Sequence, residues 1–139
     1  ITAEITYGLE RLAMYTQKKN NIFDIQWNDE VTYGQLFHEQ ERQFSHYSFS
    51  EANVENLRRY FSEYEAECHH LAGKGLYLPA YDAAMKCSHY FNLLDARGAI
   101  SVTDRTRLIG RVRALAKLCA AAYVEAKEPV KKEEPAAAR

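Results

Sequence analysis

Near the start of the chain three side chains stand close enough in sequence to do chemistry together: the carboxylate of Glu4, the hydroxyl of Thr6 and the guanidinium of Arg11. A carboxylate can pair with an ammonium group, and a hydroxyl can both hydrogen-bond a small ligand and occupy the space a larger one needs. Arg11 falls in the first turn of a helix, where the helix dipole disfavours a cation, so its position points to an anion that meets it. The plain alternative is a solvated strand face followed by a solvated arginine. A second group, Cys68-His69-His70 with Cys87 and His89, contains the sulfur and imidazole donors of zinc sites. Cys68 and Cys87 lie on apolar helical stripes, however, and the paired ligand spacing of a zinc finger is missing, so no metal is assigned. His38 and His46 read as surface or helix-packing residues.

The elements that must position these groups follow from periodicity. Ile1, Ala3, Ile5 and Tyr7 alternate with Thr2, Glu4 and Thr6, the period of a strand with one polar face. At Gly8 the pattern changes to Leu9, Leu12, Ala13 and Thr16, so Gly8 is expected to let a strand turn directly into a helix. Lys18-Lys19-Asn20-Asn21 ends that helix, and Ile22–Trp27 reads as a brief extended segment. Thr32 and Gln35 have capping-box spacing for a helix that packs Tyr33, Phe37, Phe44 and Tyr47. Ser48 with Glu51, or Ser50 alone, is expected to cap the next helix, whose seam is Val54, Leu57, Phe61, Tyr64, Cys68 and Leu71. After Gly73-Lys74-Gly75, Pro79 suits the first turn of a helix with Ala80, Ala84, Cys87, Phe91 and Leu94 on one face, ended by Gly98. Ser101 and Thr103 compete to cap the last helix, which buries Leu108, Val112, Leu115, Cys119 and Ala122. Arg107 and Arg111 lie on one flank of that stripe, Arg113 and Lys117 on the other. The reading is a short strand followed by about five helices, the last three packed as a bundle.

Size and composition narrow the class. The 139 residues suit one domain, and 47% hydrophobic residues suffice for a core. A net charge of −1 argues against a module held on nucleic acid by bulk charge. Three widely spaced cysteines, an odd number, point to reduced core thiols in a cytoplasmic protein. No apolar run approaches the roughly 20 residues that span a bilayer, and the first residues lack the shape of a signal peptide. From about Lys127 the composition shifts to Lys, Glu, Pro and Ala, expected to be a disordered tail or a frayed helix end.

The run Gly8-Leu9-Glu10-Arg11 at this junction resembles motif 3 of the class II aminoacyl-tRNA synthetases, with Thr6 in place of the first glycine of that pattern. That replacement, with a glutamate two residues earlier, is similar to the glycyl enzymes. Thr32-Tyr33-Gly34, Phe37-His38, Asn92-Leu93-Leu94-Asp95-Ala96-Arg97 and Ala99-Ile100-Ser101-Val102-Thr103 resemble the alpha subunit of the bacterial-type heterotetrameric glycyl-tRNA synthetase. The likeness runs from Thr2 to about Ala126 and corresponds to the C-terminal half of that subunit, starting at motif 3. It implies a mainly α chain: a motif 3 strand and helix left from a class II antiparallel sheet, then a C-terminal helical bundle. Residues 1–30 would be the edge of the catalytic domain, 31–126 a helical domain and 127–139 the tail.

The resemblance also implies a function, the ATP-dependent activation of glycine to glycyl-adenylate and its transfer to tRNA-Gly. Glu4 and Thr6 would bind glycine. Gly8, Glu10 and Arg11 would bind ATP, with Arg11 as the catalytic residue over the adenine and toward the terminal phosphate, and Mg²⁺ accompanying ATP. Glu10 would either orient Arg11 or simply begin the helix. A second alpha subunit and a beta subunit would be partners, in an assembly of two of each. Motifs 1 and 2, with a second ATP-binding arginine, would precede Ile1, so this chain alone is expected neither to activate glycine nor to bind ATP tightly. The Arg107 and Arg111 flank would contact tRNA or a partner subunit, or remain a charged flank. Two competing classes are a non-catalytic module that docks a partner through its small-residue helix face, and an RNA-binding helical domain, which needs a basic face that the balanced composition makes hard to assemble.

Overall fold

The computed structural model describes residues 3–127. Among the described residues are five α-helices, α1 Leu9–Thr16, α2 Tyr33–His46, α3 Val54–Gly73, α4 Tyr77–Ala96 and α5 Val102–Lys127, and the chain's contacts divide into two units, Ile1–Glu51 and Ala52–Arg139. The expectation of a mainly α chain holds. The expectation of a strand before α1 does not: no strand is present among the described residues, and residues 3–7 carry no regular structure. A strand exists through its ladder, and the bridge found among the described residues joins Gln26 and Thr32 instead. Ile5 and Tyr7, the apolar face of the alternation, remain 76% and 72% exposed, so nothing packed against them fixes a pleat.

In the first unit the segment expected to be extended at Ile22–Trp27 begins instead as a 3₁₀ turn, Ile22–Asp24. The Asn21 side chain accepts the Phe23 N–H at 3.0 Å and so rewards a tight turn over an extended chain. Ile25 is the buried residue here. The Asn28 side chain then accepts the N–H groups of Glu30 and Val31, and the chain reverses into α2. Thr32 and Gln35 form the expected capping box, each side chain bonding the other's backbone N–H. Gly34 sits where a Cβ would lie 2.7 Å from the carbonyl oxygen of Phe23, so the 3₁₀ turn can approach α2 because that residue is glycine. Tyr33 and Phe37 pack with Trp27, and His38 sets its ring against Phe23. Phe44 and Tyr47, expected to pack as well, are exposed. A π-helical turn, Tyr47–Glu51, follows α2, which places Ser48 and Ser50 inside a turn rather than at a helix start. Asn53 therefore caps α3 by accepting the Asn56 N–H, in place of the serines expected to do so.

The second unit is a three-helix bundle of α3, α4 and α5. α3 and α4 both end in Schellman motifs: Gly75 and Gly98 take positive φ (74° and 62°), their N–H groups bond the carbonyls of Ala72 and Asp95, and the next residues bond Leu71 and Leu94. Ser101 wins the competition to cap α5, its hydroxyl accepting the Asp104 N–H at 3.1 Å. The seams read from spacing meet in the core: Phe61, Cys68 and Ala72 of α3, Ala80, Ala83, Ala84, Cys87 and Phe91 of α4, and Leu108, Leu115 and Cys119 of α5. Val112 and Ala122 complete the α5 stripe half-buried. The alanines of α4 allow the close helix approach that their size permits.

One ion pair ties α3 to α5 at the edge of this core. Arg111 forks onto Glu65, with Nε donating to Oε1 at 2.8 Å, and its guanidinium lies 4.6 Å from the Phe61 ring centroid. The Arg111 hydrogen bonds hold the Glu65 carboxyl below its ordinary value. A depressed folded-state pKa stabilises above the ordinary carboxylate value and loses that contribution as pH falls through the folded value. Glu65→Gln is therefore expected to cost on the order of 1 kcal/mol at pH 7. It should also lose less than the parent between about pH 5 and 3, as urea titrations at each pH will show.

Candidate functional site

The candidate site begins with two side chains on an irregular segment. The Thr6 hydroxyl donates to Glu4 Oε1 at 2.8 Å, and both residues are exposed. The bond couples the only donor of one group to the acceptor of the other and turns the carboxylate toward Thr6. Gly8 follows as the N-cap of α1, with φ 72° and ψ 93°, a conformation a side chain rarely adopts. A Cβ there would find nothing nearer than the Arg11 stem at 3.8 Å, so it is backbone conformation, not crowding within the chain, that calls for glycine.

Glu10 and Arg11 occupy the first turn of α1, both exposed. Glu10 is favourably placed for the helix dipole and Arg11 unfavourably. No ion pair among the described residues satisfies Arg11, although Arg42, Arg59, Arg105, Arg107 and Arg111 all pair with carboxylates. α1 is held by a clamp that spacing alone did not reveal. The Gln17 side chain donates to the Gln26 carbonyl at 3.0 Å and accepts the Gln26 N–H at 2.7 Å, as a neighbouring strand would.

The structure thus joins Glu4 to Thr6 and places Arg11 in the first turn of α1, a helix whose far end is anchored. It does not bring the cysteines and histidines together. Cys68 and Cys119 lie with sulfurs 3.7 Å apart inside the bundle, while His69, His70 and His89 are exposed. Burial first, and the neighbouring Cys119 thiol second, push the Cys68 thiol up to about 12; burial pushes Cys87 to about 11. These are protonated packing groups at neutral pH. No group of three or more metal-binding side chains is found among the described residues.

A family model for the glycyl-tRNA synthetase alpha subunit matches residues 1–128. The chain belongs to that family. Membership makes it a chain of an aminoacyl-tRNA synthetase, a ligase that works with glycine and tRNA. The matched range takes in Glu4, Thr6, Gly8, Glu10 and Arg11 as well as the whole helical bundle. No helix among the described residues is long and apolar enough to cross a membrane.

Proposed function

We propose that residues 1–30 form one edge of the glycine- and ATP-binding site of a glycine–tRNA ligase, followed along the chain by the helical domain 31–126. The observation that supports this reading is the hydrogen-bonded Glu4–Thr6 pair leading through Gly8 into an exposed Arg11 with no carboxylate partner among the described residues. Glu4 takes the substrate ammonium. Thr6 orients that carboxylate and fills the space a larger amino-acid side chain would need. Arg11 lays its flat, always-charged guanidinium over the adenine of ATP and reaches its terminal phosphate, Gly8 lets the nucleotide approach the backbone, and Glu10 either orients Arg11 or begins the helix with a favourable charge.

The glycine carboxylate then attacks the α-phosphate and pyrophosphate leaves; a hydroxyl of the 3′-terminal adenosine of tRNA-Gly then takes the glycyl group from the adenylate, and AMP leaves. These steps run on positioning and charge stabilisation. Mg²⁺ accompanies ATP, and no group of three or more metal-binding side chains is found for it among the described residues. The reading includes a second alpha subunit, a beta subunit and a cytoplasmic setting, and the chain by itself is inactive. A purely docking module finds less support, because the small-residue face of α4 it would use is buried by α3 and α5.

Glycine-dependent ATP–pyrophosphate exchange by the assembled enzyme tests the assignment. Glu4→Gln is expected to raise KM for glycine by roughly 10- to 100-fold, the value of one charge-assisted hydrogen bond. Thr6→Val should raise it less. An unchanged KM in Glu4→Gln would remove Glu4 from the site.

A further inference from the structure

In the helical bundle three arginines from two helices line one small cavity of about 100 Å³: Arg58 of α3 with Arg107 and Arg111 of α5. Its floor is Phe61, Leu94 and Leu108, all buried. Each arginine has a hydrogen-bond partner within the bundle. Arg58 donates to the Ala99 carbonyl, Arg107 to Asp104 at 2.8 Å, and Arg111 to Glu65. These bonds use a minority of the N–H donors, so each group keeps others. Three positive charges face two carboxylates, Glu65 and Asp104, which leaves one net positive charge beside an apolar floor.

One charge matches a phosphodiester, which carries a single negative charge, better than a free phosphate dianion. We infer that the Arg58–Arg107–Arg111 cavity is a seat for one backbone phosphate of the RNA substrate. This inference rests on the functional reading above, since it takes tRNA as the ligand. It also reconciles RNA contact with a chain of net charge −1, because the contact is local and prearranged and does not depend on a broad basic surface.

The test is tRNA-Gly binding by the assembled synthetase across a salt series, with Arg107→Gln and, as control, Arg113→Gln on the opposite flank of α5. Arg107 is chosen because its side chain is 65% exposed and its loss leaves the core intact; an unchanged melting midpoint confirms that. Arg107→Gln is expected to weaken binding about 5- to 10-fold near physiological salt and to lower the slope of log K against log salt by about 1, with Arg113→Gln unchanged. Arg107→Lys should restore the slope better than the affinity. Unchanged affinity and slope in Arg107→Gln, or equal losses in both variants, overturn the inference. So does competition by inorganic phosphate at matched ionic strength that leaves tRNA binding dependent on Arg113 as much as on Arg107. Absence of glycine-dependent exchange in the unaltered enzyme is a different failure, that of the functional reading itself.

Discussion

Replacing Arg11 by alanine in the assembled enzyme is expected to lower kcat/KM for ATP in glycine-dependent pyrophosphate exchange by about 10²- to 10³-fold, the usual cost of deleting one preorganised group aimed at developing phosphate charge. The same change should leave thermal stability unaltered or slightly raised. Arg11 is exposed, pairs with no carboxylate among the described residues, and stands in the first turn of α1 where the dipole repels it. Alanine is also the better helix former. Loss of activity without loss of stability is the mark of a residue kept for a ligand; an ordinary solvated arginine would show the same stability change and no loss of activity. Arg11→Lys keeps the charge but loses the flat fork, so it should recover only a small part of the rate. Activity in Arg11→Ala within threefold of the parent would return Arg11 to the surface and leave Glu4 and Thr6 without their nucleotide partner.

The helical unit was readable because its spacing and its packing partners lie in the same stretch of chain. Leu57, Phe61 and Cys68, or Ala80, Ala84, Cys87 and Phe91, recur by three and four and are the residues the bundle buries. Gly75 and Gly98 mark real left-handed caps, and Thr32 with Gln35 a real capping box. The failures have equally local causes. Alternation from Ile1 to Tyr7 describes what a strand would bury, but a strand needs a neighbour, and none of the described residues supplies one. Ser48 and Ser50 have the chemistry of caps, yet a π turn carries the helix past them to Asn53. The Glu4–Thr6 pair was visible because both residues belong to one short segment. The meeting of Arg58 with Arg107 and Arg111 was not, because the pattern within each helix says which face is apolar and nothing about which flank of another helix it meets.

Phe61→Ala is expected to be the most damaging single truncation in the bundle, at about 3–5 kcal/mol. Phe61 is 2% exposed and is among the largest fully buried side chains. Its ring is shared: one face carries the Arg111 guanidinium at 4.6 Å, and the residue's carbonyl accepts a weak bond from Cys87 Sγ at 3.5 Å. Truncation therefore opens a cavity in the core and also loosens the fork that joins α3 to α5 through Glu65. Against a total stability of roughly 5–15 kcal/mol for a domain, that loss is a large fraction. Phe61→Leu retains most of the volume and should cost about 1–2 kcal/mol, the difference being the ring face. Met85→Ala, at a site 53% exposed on α4, should change stability by less than about 0.5 kcal/mol. Urea unfolding of the full chain at pH 7, followed by helical circular dichroism, orders the three variants. If Phe61→Ala loses less than about 1 kcal/mol, the bundle's stability does not reside in this core, and the positioning of Arg111 beside Arg58 loses its support.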